Sequence, residues 1–429
     1  MKILLVYCNL YQEPLVPLGL SSLTASLPKD YEVEIFDTTF YLETADSSDQ
    51  EDRLKSGQVA AYESVYPVYT WPMEMDFRNK LSEFEPDWVG FSCTENTYHL
   101  AEKLVRHIPD DVKAAIGGSF AAFYGKHFPL IFGHIWRGEG EKSGNMWKHA
   151  GYTGYWQPNS LIQADDLPVP DFSLWDKRRY YRPMSGRQYK MFPIEIGRGC
   201  PYKCSYCSAS AYAKMFPGWY RLKSVDKIIS CMKDCVEKYK AEYFYLISET
   251  FLAAPLKWRK EFYEKYDLKI PFWMNTRPET VHEKDMKELA KIGLHRVSIG
   301  LEHGNDNFRV TMLERNYSNE TVISACKIIK NAGIELSVNS MVGFPDETEE
   351  LFEDTVNLNR VIEADSHTIS IFQPYWGTEL RDYCVKKGYL AADAICSNKF
   401  AESPLDMKEF SKGQIREAYL TFNERLRLR

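Results

Sequence analysis

The sequence predicts an α/β protein with an N-terminal doubly wound parallel sheet, a partial (β/α)6 barrel of the TIM type and a small helical C-terminal region. Short β-branched and apolar runs alternate with helical stretches, which is typical of parallel strands joined by crossover helices. A stretch without periodicity separates two sets of these runs. We therefore expect an N-terminal domain over residues 1–150, a linker over 151–185, the barrel over 186–385 and a helical extension over 386–429.

Length and composition are those of a globular protein with more than one domain. The chain has 429 residues, of which 44% are hydrophobic and 26% are charged, and this excludes the disordered and fibrous classes. The net charge of −7 comes without a long basic run, so no nucleic-acid partner is expected. No apolar stretch approaches the length of a membrane span, and the run Met1–Tyr7 lacks the features of a signal peptide. We expect a cytoplasmic protein with no membrane partner.

The first third of the chain contains five apolar runs of strand length. The expected strands are Lys2–Tyr7, Glu32–Asp37, Trp88–Cys93, Val112–Gly118 and His134–Gly140. Helical stretches between them predict a doubly wound sheet. The polar and aromatic insert Tyr41–Phe77 has no assignable pattern, and a lid and an interface are the two interpretations left open.

The expected linker is rich in Gly, Pro, Asp and aromatic residues. After it, six strand-helix units in succession predict a parallel barrel that stays open, because eight units are needed to close one. The expected strands are Phe192–Gly197, Tyr243–Ser248, Pro271–Asn275, Arg296–Leu301, Ile334–Met341 and Thr368–Gln373. A serine cap at its start predicts a helix over Ser224–Lys240, and the stop signal Ala332-Gly333 at its end predicts one over Ser318–Asn331. The stretch Met407–Arg429 is expected to be an amphipathic helix that packs on the barrel.

Three of the ten cysteines are clustered, and they follow the first expected barrel strand. Cys200, Cys204 and Cys207 are spaced so that their thiolates can hold one face of a [4Fe–4S] cluster and leave one iron without a protein ligand. Electron-transfer clusters and structural zinc sites usually take four protein ligands. The next cysteines, Cys231 and Cys235, lie four residues apart in an expected helix, where buried structural thiols are common.

This cysteine pattern, with the aromatic Tyr206 before the last thiol, resembles the signature of the radical S-adenosylmethionine superfamily. The resemblance covers roughly residues 186–385. It implies that S-adenosylmethionine chelates the open iron and is cleaved to a 5′-deoxyadenosyl radical, with Cys200, Cys204 and Cys207 as the metal ligands and catalytic residues. An electron donor of the flavodoxin or ferredoxin kind is implied as a partner.

Polar residues at the ends of later strands resemble cofactor contacts of the same family. Glu249 matches an acidic residue that binds the methionyl amine, while Ser298 and Glu302 match contacts to the methionine and ribose portions. Arg315 matches a recurrent arginine that would bind a carboxylate or the substrate. Gly343 lies in the segment whose backbone would flank the adenine. The chain departs from the family pattern in reading Pro-Asp-Glu-Thr at 345–348 and in having Trp376 at the sixth strand exit.

The N-terminal third resembles the cobalamin-binding domain that precedes the barrel in one subgroup of this superfamily. The positions that would contact cobalamin follow the first, third, fourth and fifth expected strands: Leu18, Gly19, Thr94, Glu95, Asn96, Gly117, Gly118, Ser119, Gly138 and Glu139. Loops at these strand ends are where ligands bind in open parallel sheets. The Asp-x-His-x-x-Gly motif that supplies a cobalt ligand in mutase-type domains is missing from the sequence. The methylthiotransferases need three cysteines in this domain, and only Cys8 and Cys93 are present here.

These resemblances imply a cobalamin-dependent enzyme that methylates an unactivated carbon of a small molecule. Ring formation or rearrangement without methylation is the alternative within the family. A non-enzymatic iron–sulfur redox protein or cobalamin carrier is the alternative from another class, and the open iron argues against it.

Overall fold

The computed structural model describes residues 1–11, 15–45, 53–59, 67–148, 153–396, 399 and 402–427. The chain forms two compact units. The first consists of Met1–Ser47 and Glu63–Arg182, and the second of Ser48–Tyr62 and Pro183–Arg429. No helix in the described ranges combines the length and the apolar character needed to cross a bilayer.

The first unit is built on a six-stranded parallel sheet. Its strands are β1 Lys2–Tyr7, β2 Glu32–Asp37, β3 Trp88–Ser92, β4 Lys113–Gly117, β5 His134–Trp136 and β6 Gly154–Trp156. In the order β2-β1-β3-β4-β5-β6, the chain continues from β1 to one side of the sheet and from β3 to the other, so the strand order reverses between β1 and β3. Such a reversal opens a crevice at the carboxyl ends of the two strands, where ligands bind in this class of sheet.

Five helices accompany this sheet in the part of the first unit that the structure describes. They are α1 Leu18–Ser26, α2 Met73–Phe84, α3 Tyr98–Val105, α4 Ser119–Tyr124 and α5 Gly144–Lys148. Helix α2 begins inside the insert expected at 41–77 and ends after it. The helix buries four side chains at helical spacing: Met73, Phe77, Leu81 and Phe84. Residues 46–52 and 60–66 of the insert lie outside the described ranges.

The segment expected to be a linker differs from that expectation. Strand β6 extends the first sheet, and the backbone N–H of Asp171 donates to the carbonyl of Ser21 at 2.9 Å. The indole of Trp175 donates to the Ser21 hydroxyl at 2.8 Å. Phe172 and Trp175 are both buried. Residues 153–180 therefore belong to the first unit, and burial of the two aromatic side chains stabilises them there.

The second unit contains a seven-stranded sheet in the order β15-β14-β13-β12-β11-β8-β7. Its strands are β7 Tyr181–Met184, β8 Arg187–Glu195, β11 Tyr243–Ile247, β12 Phe272–Thr276, β13 Leu294–Glu302, β14 Glu335–Val342 and β15 Ser366–Ile371. The pairs from β8 to β15 are parallel. Two short strands, β9 Gly197–Arg198 and β10 Arg221–Leu222, pair separately. The expected partial barrel is confirmed.

The helices of the second unit follow its strands along the chain. They are α6 Ser208–Met215, α7 Val225–Tyr239, α8 Leu256–Lys265, α9 Glu283–Ile292, α10 Asp306–Thr311, α11 Asn319–Asn331, α12 Glu349–Val361, α13 Glu379–Lys387 and α14 Lys412–Arg427. The hydroxyls of Ser224 and Ser318 accept from the backbone N–H of Lys227 and Thr321 and so cap α7 and α11. The cap at Ser224 is the one that the sequence predicts.

Helix α14 is part of the core of the second unit. It buries Ile415, Ala418, Tyr419 and Phe422 in a cluster with residues of α12, β14 and β15. The predicted packing role of the C-terminal segment is confirmed. The helix begins at Lys412 rather than at the expected Met407, and residues 428–429 lie outside the described ranges.

Candidate functional site

The three clustered cysteines lie on a loop between β8 and α6 whose start is held by the β9–β10 pair. Two glycines allow the start of the loop to lie close to Arg221 and Trp219. A Cβ on Gly197 would lie 2.3 Å from the carbonyl oxygen of Arg221, and one on Gly199, where φ is +85°, would lie 2.5 Å from Cδ1 of Trp219. Any larger side chain would therefore push the loop away from β10.

Hydrogen bonds fix the middle of the cysteine loop to other segments of the barrel unit. The Ser205 hydroxyl donates to the carbonyl of Met312 at 2.6 Å, and the Ser205 carbonyl accepts from the N–H of Leu380 at 3.1 Å. The loop also closes on itself, because the N–H of Cys207 donates to the carbonyl of Cys204 at 3.1 Å. The backbone that carries the thiols is thus held in place by segments distant in sequence.

All three cysteines are free thiols; Cys204 is buried, and Cys200 and Cys207 are partly accessible. Burial, with a smaller effect of the nearby Glu249 carboxylate, raises the pKa of Cys207 to about 12. Burial likewise raises the pKa of Cys200. Bound iron would deprotonate such thiols.

The donor set fits an iron–sulfur cluster. No three Cys, His, Asp or Glu side chains in the described part of the chain are grouped so that they could bind one metal ion. In a cluster, each thiolate binds a different iron. The three thiols influence one another electrostatically, so they face a common region.

Arg277 is a residue of this site that the sequence analysis missed. It follows β12, its side chain is buried, and its Nη1 lies 2.9 Å from Sγ of Cys204. Its guanidinium stacks over the ring of Tyr202, with Cζ 3.9 Å from the ring centroid. Its position directly after an apolar strand was the signal that could have identified it, because ligand-binding groups in parallel barrels come from the carboxyl ends of strands.

Arg315 forms a second buried guanidinium centre near the same thiol. It donates to the Tyr206 hydroxyl at 2.9 Å, to the carbonyl of Gly300 at 2.7 Å and to the Glu302 carboxylate at 3.2 Å. Its Nη1 lies 4.0 Å from Sγ of Cys204. The structure therefore brings together Cys204 and three residues that the sequence predicted separately.

Glu249 follows β11 and has a carboxylate that solvent can reach. Surrounding protein atoms nevertheless limit its hydration and raise the pKa of this carboxyl. Its charge also raises the pKa of Cys200 and Cys207, so it lies near the thiols. A carboxylate whose ionised form is disfavoured in this way gains from a cationic ligand group beside it.

Ser298 lies on β13 beside an aromatic stack of the neighbouring strands. Its hydroxyl accepts from the indole N–H of Trp273 at 2.8 Å. Trp273 stacks on Tyr245, with ring centroids 4.1 Å apart, and the Tyr245 hydroxyl accepts from the amide of Asn275 at 2.7 Å. Ser298 thus belongs to a polar and aromatic layer formed by three adjacent strands.

Gly343 begins the turn after β14, where φ is +87°. Its N–H donates to the buried carboxylate of Glu347 at 2.6 Å, and the N–H of Phe344 donates to the same oxygen at 2.9 Å. A Cβ at Gly343 would lie 3.0 Å from Cγ2 of Ile415 in α14. The turn is therefore fixed by a carboxylate on one side and a packed helix on the other.

In the first unit, the predicted cobalamin contacts divide into exposed and buried positions. Gly19, Thr94, Gly118 and Ser119 are exposed, and Leu18, Asn96, Gly117 and Gly138 are partly accessible. They follow β1, β3, β4 and β5, which are neighbours in the sheet. No atom outside its own helix and chain neighbours lies within 4 Å of a Cβ built at Gly19.

Glu95 and Glu139 differ from this group because both are buried. The Glu139 carboxylate accepts from the N–H of Ile162 at 2.7 Å and holds the segment after β6. Gly118 also has a reason within the fold, since a Cβ there would lie 2.4 Å from the carbonyl oxygen of Cys93. Glu139 and Gly118 therefore have contacts that belong to the fold of the first unit.

The sequence is similar to several characterised and uncharacterised proteins. It is 25% identical over 384 residues to an uncharacterized methyltransferase of Pyrococcus horikoshii, covering 81% of each chain. It is 26% identical over 340 residues to the anaerobic magnesium-protoporphyrin IX monomethyl ester cyclase of Rubrivivax gelatinosus, covering 70% of this chain and 59% of the cyclase. The chain therefore spans about three fifths of that enzyme.

The fold is similar to that of the radical S-adenosylmethionine methyltransferase TsrM from Kitasatospora setae. In the structure of TsrM with tryptophan and a SAM analog bound, the TM-score is 0.63 at 17% sequence identity, covering 97% of this chain and 83% of TsrM. The structure of TsrM with cobalamin and a [4Fe-4S] cluster bound gives a TM-score of 0.62. The predicted combination of a doubly wound sheet, a partial barrel and a C-terminal helical region is confirmed.

The barrel unit also matches a family model. Residues 194–358 match the model described as the Radical SAM superfamily. This range includes the three cysteines of the loop after β8, together with Arg277, Arg315 and Glu249. Residues 194–358 therefore contain a Radical SAM superfamily domain.

Proposed function

We propose that this protein is a cobalamin-dependent radical S-adenosylmethionine enzyme that methylates an unactivated carbon of a small molecule. The observation that carries the proposal is the loop of three free thiols after β8, with Cys204 beside two buried guanidinium groups. When bound, the cluster and S-adenosylmethionine supply a 5′-deoxyadenosyl radical, and cobalamin supplies a methyl carrier. The protein residues bind, orient and shield these groups.

The thiols of Cys200, Cys204 and Cys207 would hold three irons of a [4Fe–4S] cluster and leave the fourth for the amine and carboxylate of S-adenosylmethionine. Glu249 supports this assignment, because its poorly hydrated carboxylate can accept a hydrogen bond from the methionyl ammonium. Ser298, whose hydroxyl accepts from the indole N–H of Trp273, would contact the methionine or ribose. The turn at Gly343, held by Glu347, would present its backbone to the adenine.

The exposed edge of the first sheet would hold cobalamin. Gly19 and Thr94 follow the two strands at which the sheet order reverses, the position where open parallel sheets bind ligands. The similarity in fold to TsrM, whose structure contains cobalamin, supports this assignment. An external one-electron donor of the flavodoxin or ferredoxin class would reduce the cluster.

A non-methylating reaction such as ring formation is the second candidate. The similarity to the anaerobic magnesium-protoporphyrin IX monomethyl ester cyclase favours it. The two candidates share the thiols, S-adenosylmethionine and the radical. They differ in whether the methyl group of S-adenosylmethionine leaves the cosubstrate.

The cleavage reaction is tested by mixing anaerobically reconstituted protein with S-adenosylmethionine and dithionite and measuring 5′-deoxyadenosine. We expect release by the wild type and none by Cys204→Ala, because the variant loses a cluster ligand. Cys231→Ala is the matched control, since that thiol is buried in α7 away from the loop. Release by Cys204→Ala would refute the assigned ligands.

Methyl transfer is tested with S-adenosylmethionine carrying an isotopic label in its methyl group. We expect a corrin absorption band after reconstitution with cobalamin, and we expect the label to remain with the protein–corrin complex. Deoxyadenosine release without a corrin band or label would favour the non-methylating candidate. Absence of both activities would support the redox or carrier alternative.

A further inference from the structure

The side chain of Arg277 is held against one thiol of the cysteine loop. Nη1 lies 2.9 Å from Sγ of Cys204, and Nε donates to the Glu279 carboxylate at 2.6 Å. The guanidinium face covers Tyr202, which lies in the same loop as Cys204. Only 6% of Arg277 and 6% of Cys204 are exposed, so water weakens their interaction little.

Local structure fixes Arg277 in this position. It follows β12 and begins a short turn in which the hydroxyl of Thr280 donates to the Arg277 carbonyl at 2.7 Å. The Thr276 and Thr280 hydroxyls are 2.7 Å apart and brace the same turn. Because the backbone, the Tyr202 ring and the Glu279 carboxylate each restrain the side chain, little conformational entropy remains to be lost when it binds a thiolate.

The thiols of Cys204 and Cys200 have different surroundings. Cys204 has two guanidinium groups nearby, with Nη1 of Arg277 at 2.9 Å and Nη1 of Arg315 at 4.0 Å. Cys200 instead has the neutral hydroxyl of Thr250, 3.8 Å from its Sγ. The positive charge is therefore concentrated at one corner of the site.

We propose that Arg277 is a positioning residue that raises the reduction potential of the cluster through its hydrogen bond to Cys204. This inference rests on the proposed function, because it requires a cluster on the three cysteines. A one-electron donor of the flavodoxin or ferredoxin class reduces the cluster, and no bond forms or breaks at Arg277. The reduced cluster is one unit more negative than the oxidised cluster. A buried cation bonded to a cluster sulfur stabilises the reduced state more, and hydrogen bonds to cluster sulfurs tune potentials in this way.

A purely structural role for Arg277 is the competing interpretation. In that case, the stack on Tyr202 and the ion pair with Glu279 would order the loop, and the potential would not depend on Arg277. The two interpretations differ in a redox measurement rather than in activity.

The test is an anaerobic potentiometric titration of the reconstituted holoprotein, followed by electron paramagnetic resonance of the reduced cluster. We expect a lower midpoint potential in Arg277→Met, which removes the charge and the hydrogen bond. We expect a smaller decrease in Arg277→Lys, which keeps the charge. Glu279→Gln should raise the potential, because it removes the carboxylate that partly neutralises Arg277.

Lys284→Met is the control for loss of one positive charge, because Lys284 is exposed on α9. The midpoint potential of the cluster in this variant should match that of the wild type. An unchanged potential in Arg277→Met with a normal cluster spectrum would overturn the inference. If the wild type forms no cluster, the proposed function fails instead, so the two failures are distinguishable.

A second measurement starts from the wild type, so its main outcome does not depend on a variant folding. Wild-type holoprotein labelled with ¹⁵N in arginine guanidinium groups should show nitrogen hyperfine coupling to the reduced cluster. Arg277→Lys should lose most of that coupling. Absence of guanidinium coupling in the wild type would contradict the contact and overturn the inference.

Discussion

The carboxylate of Glu302 lies 3.2 Å from Nη1 of Arg315 in a space that exists because residue 300 is glycine. A Cβ at Gly300 would lie 2.2 Å from Oε1 of Glu302. Glu302 also has a φ of +67°, a conformation that non-glycine residues rarely adopt. The end of β13 is thus shaped to fold a carboxylate back onto the arginine beside the cysteine loop.

Replacing Arg315 with methionine should destabilise the barrel unit. The Glu302 side chain is only 14% exposed, so loss of its partner leaves a poorly hydrated charge. We expect a cost of about 3–5 kcal/mol, measured by urea unfolding of the anaerobic apoprotein. The double variant with Glu302→Gln should recover part of this loss, since it removes the unpaired charge. Equal stability of Arg315→Met and wild type would show that the ion pair contributes nothing.

Replacing Glu347 with glutamine should weaken the turn at Gly343. The Nδ1 of buried His303 accepts from the N–H of Asn305, so its Nε2 carries the hydrogen that Glu347 accepts at 3.1 Å. An amide has one acceptor oxygen and cannot serve both this N–H and the turn. We expect a loss of about 1–3 kcal/mol in unfolding free energy.

Glu350→Gln is the matched control for this change, because Glu350 is exposed at the start of α12. Its unfolding should follow that of the wild type. If Glu347→Gln is as stable as the control, the turn is not held by this carboxylate.

Replacing Glu249 with glutamine should have opposite effects on stability and on ligand binding. Limited hydration raises the pKa of Glu249, so its ionisation costs folding free energy. This cost is absent below the ordinary carboxyl pKa and grows as pH rises above it. At neutral pH the apoprotein variant should therefore be slightly more stable than wild type, and the difference should vanish in acid.

The same variant should bind S-adenosylmethionine about 10- to 100-fold more weakly, because a charge-assisted hydrogen bond to the methionyl ammonium is lost. Isothermal titration of anaerobic holoprotein measures this change. Glu264→Gln, on the exposed side of α8, is the control. Unchanged affinity in Glu249→Gln would remove Glu249 from the site.

Replacing Phe422 with alanine should destabilise the barrel unit through α14. Phe422 is fully buried and lies 6.2 Å from Phe352 of α12, measured between ring centroids. Loss of a buried aromatic ring costs about 3–5 kcal/mol, detectable by thermal or urea unfolding. Glu424→Ala should have little effect because Glu424 is exposed. A neutral Phe422→Ala would mean that α14 is not part of this core.

The sequence predicted the barrel strands because each is a short apolar run, and it predicted the helix between two of them because Ser224 is a capping residue at its start. The cysteine loop was predicted from spacing alone, since all three thiols lie within one short segment. Contacts between distant segments were harder to predict. Arg277 and Cys204 are separated by 73 positions, and neither local periodicity nor spacing links them.

The stretch 151–185 was misassigned for a related reason. Its prolines and glycines suggested a linker, but Phe172 and Trp175 are buried and β6 joins the first sheet. Strand β6 is only three residues long, too short to give an alternating pattern. The aromatic residues were the available signal of burial.

The most direct test of the account is Mössbauer and electron paramagnetic resonance spectroscopy of the anaerobically reconstituted wild type, with and without S-adenosylmethionine. We expect a [4Fe–4S] cluster with one iron site that changes when the cosubstrate is added, because three cysteines leave that iron open. Zinc in place of the cluster, or spectra that S-adenosylmethionine leaves unchanged, would contradict the account.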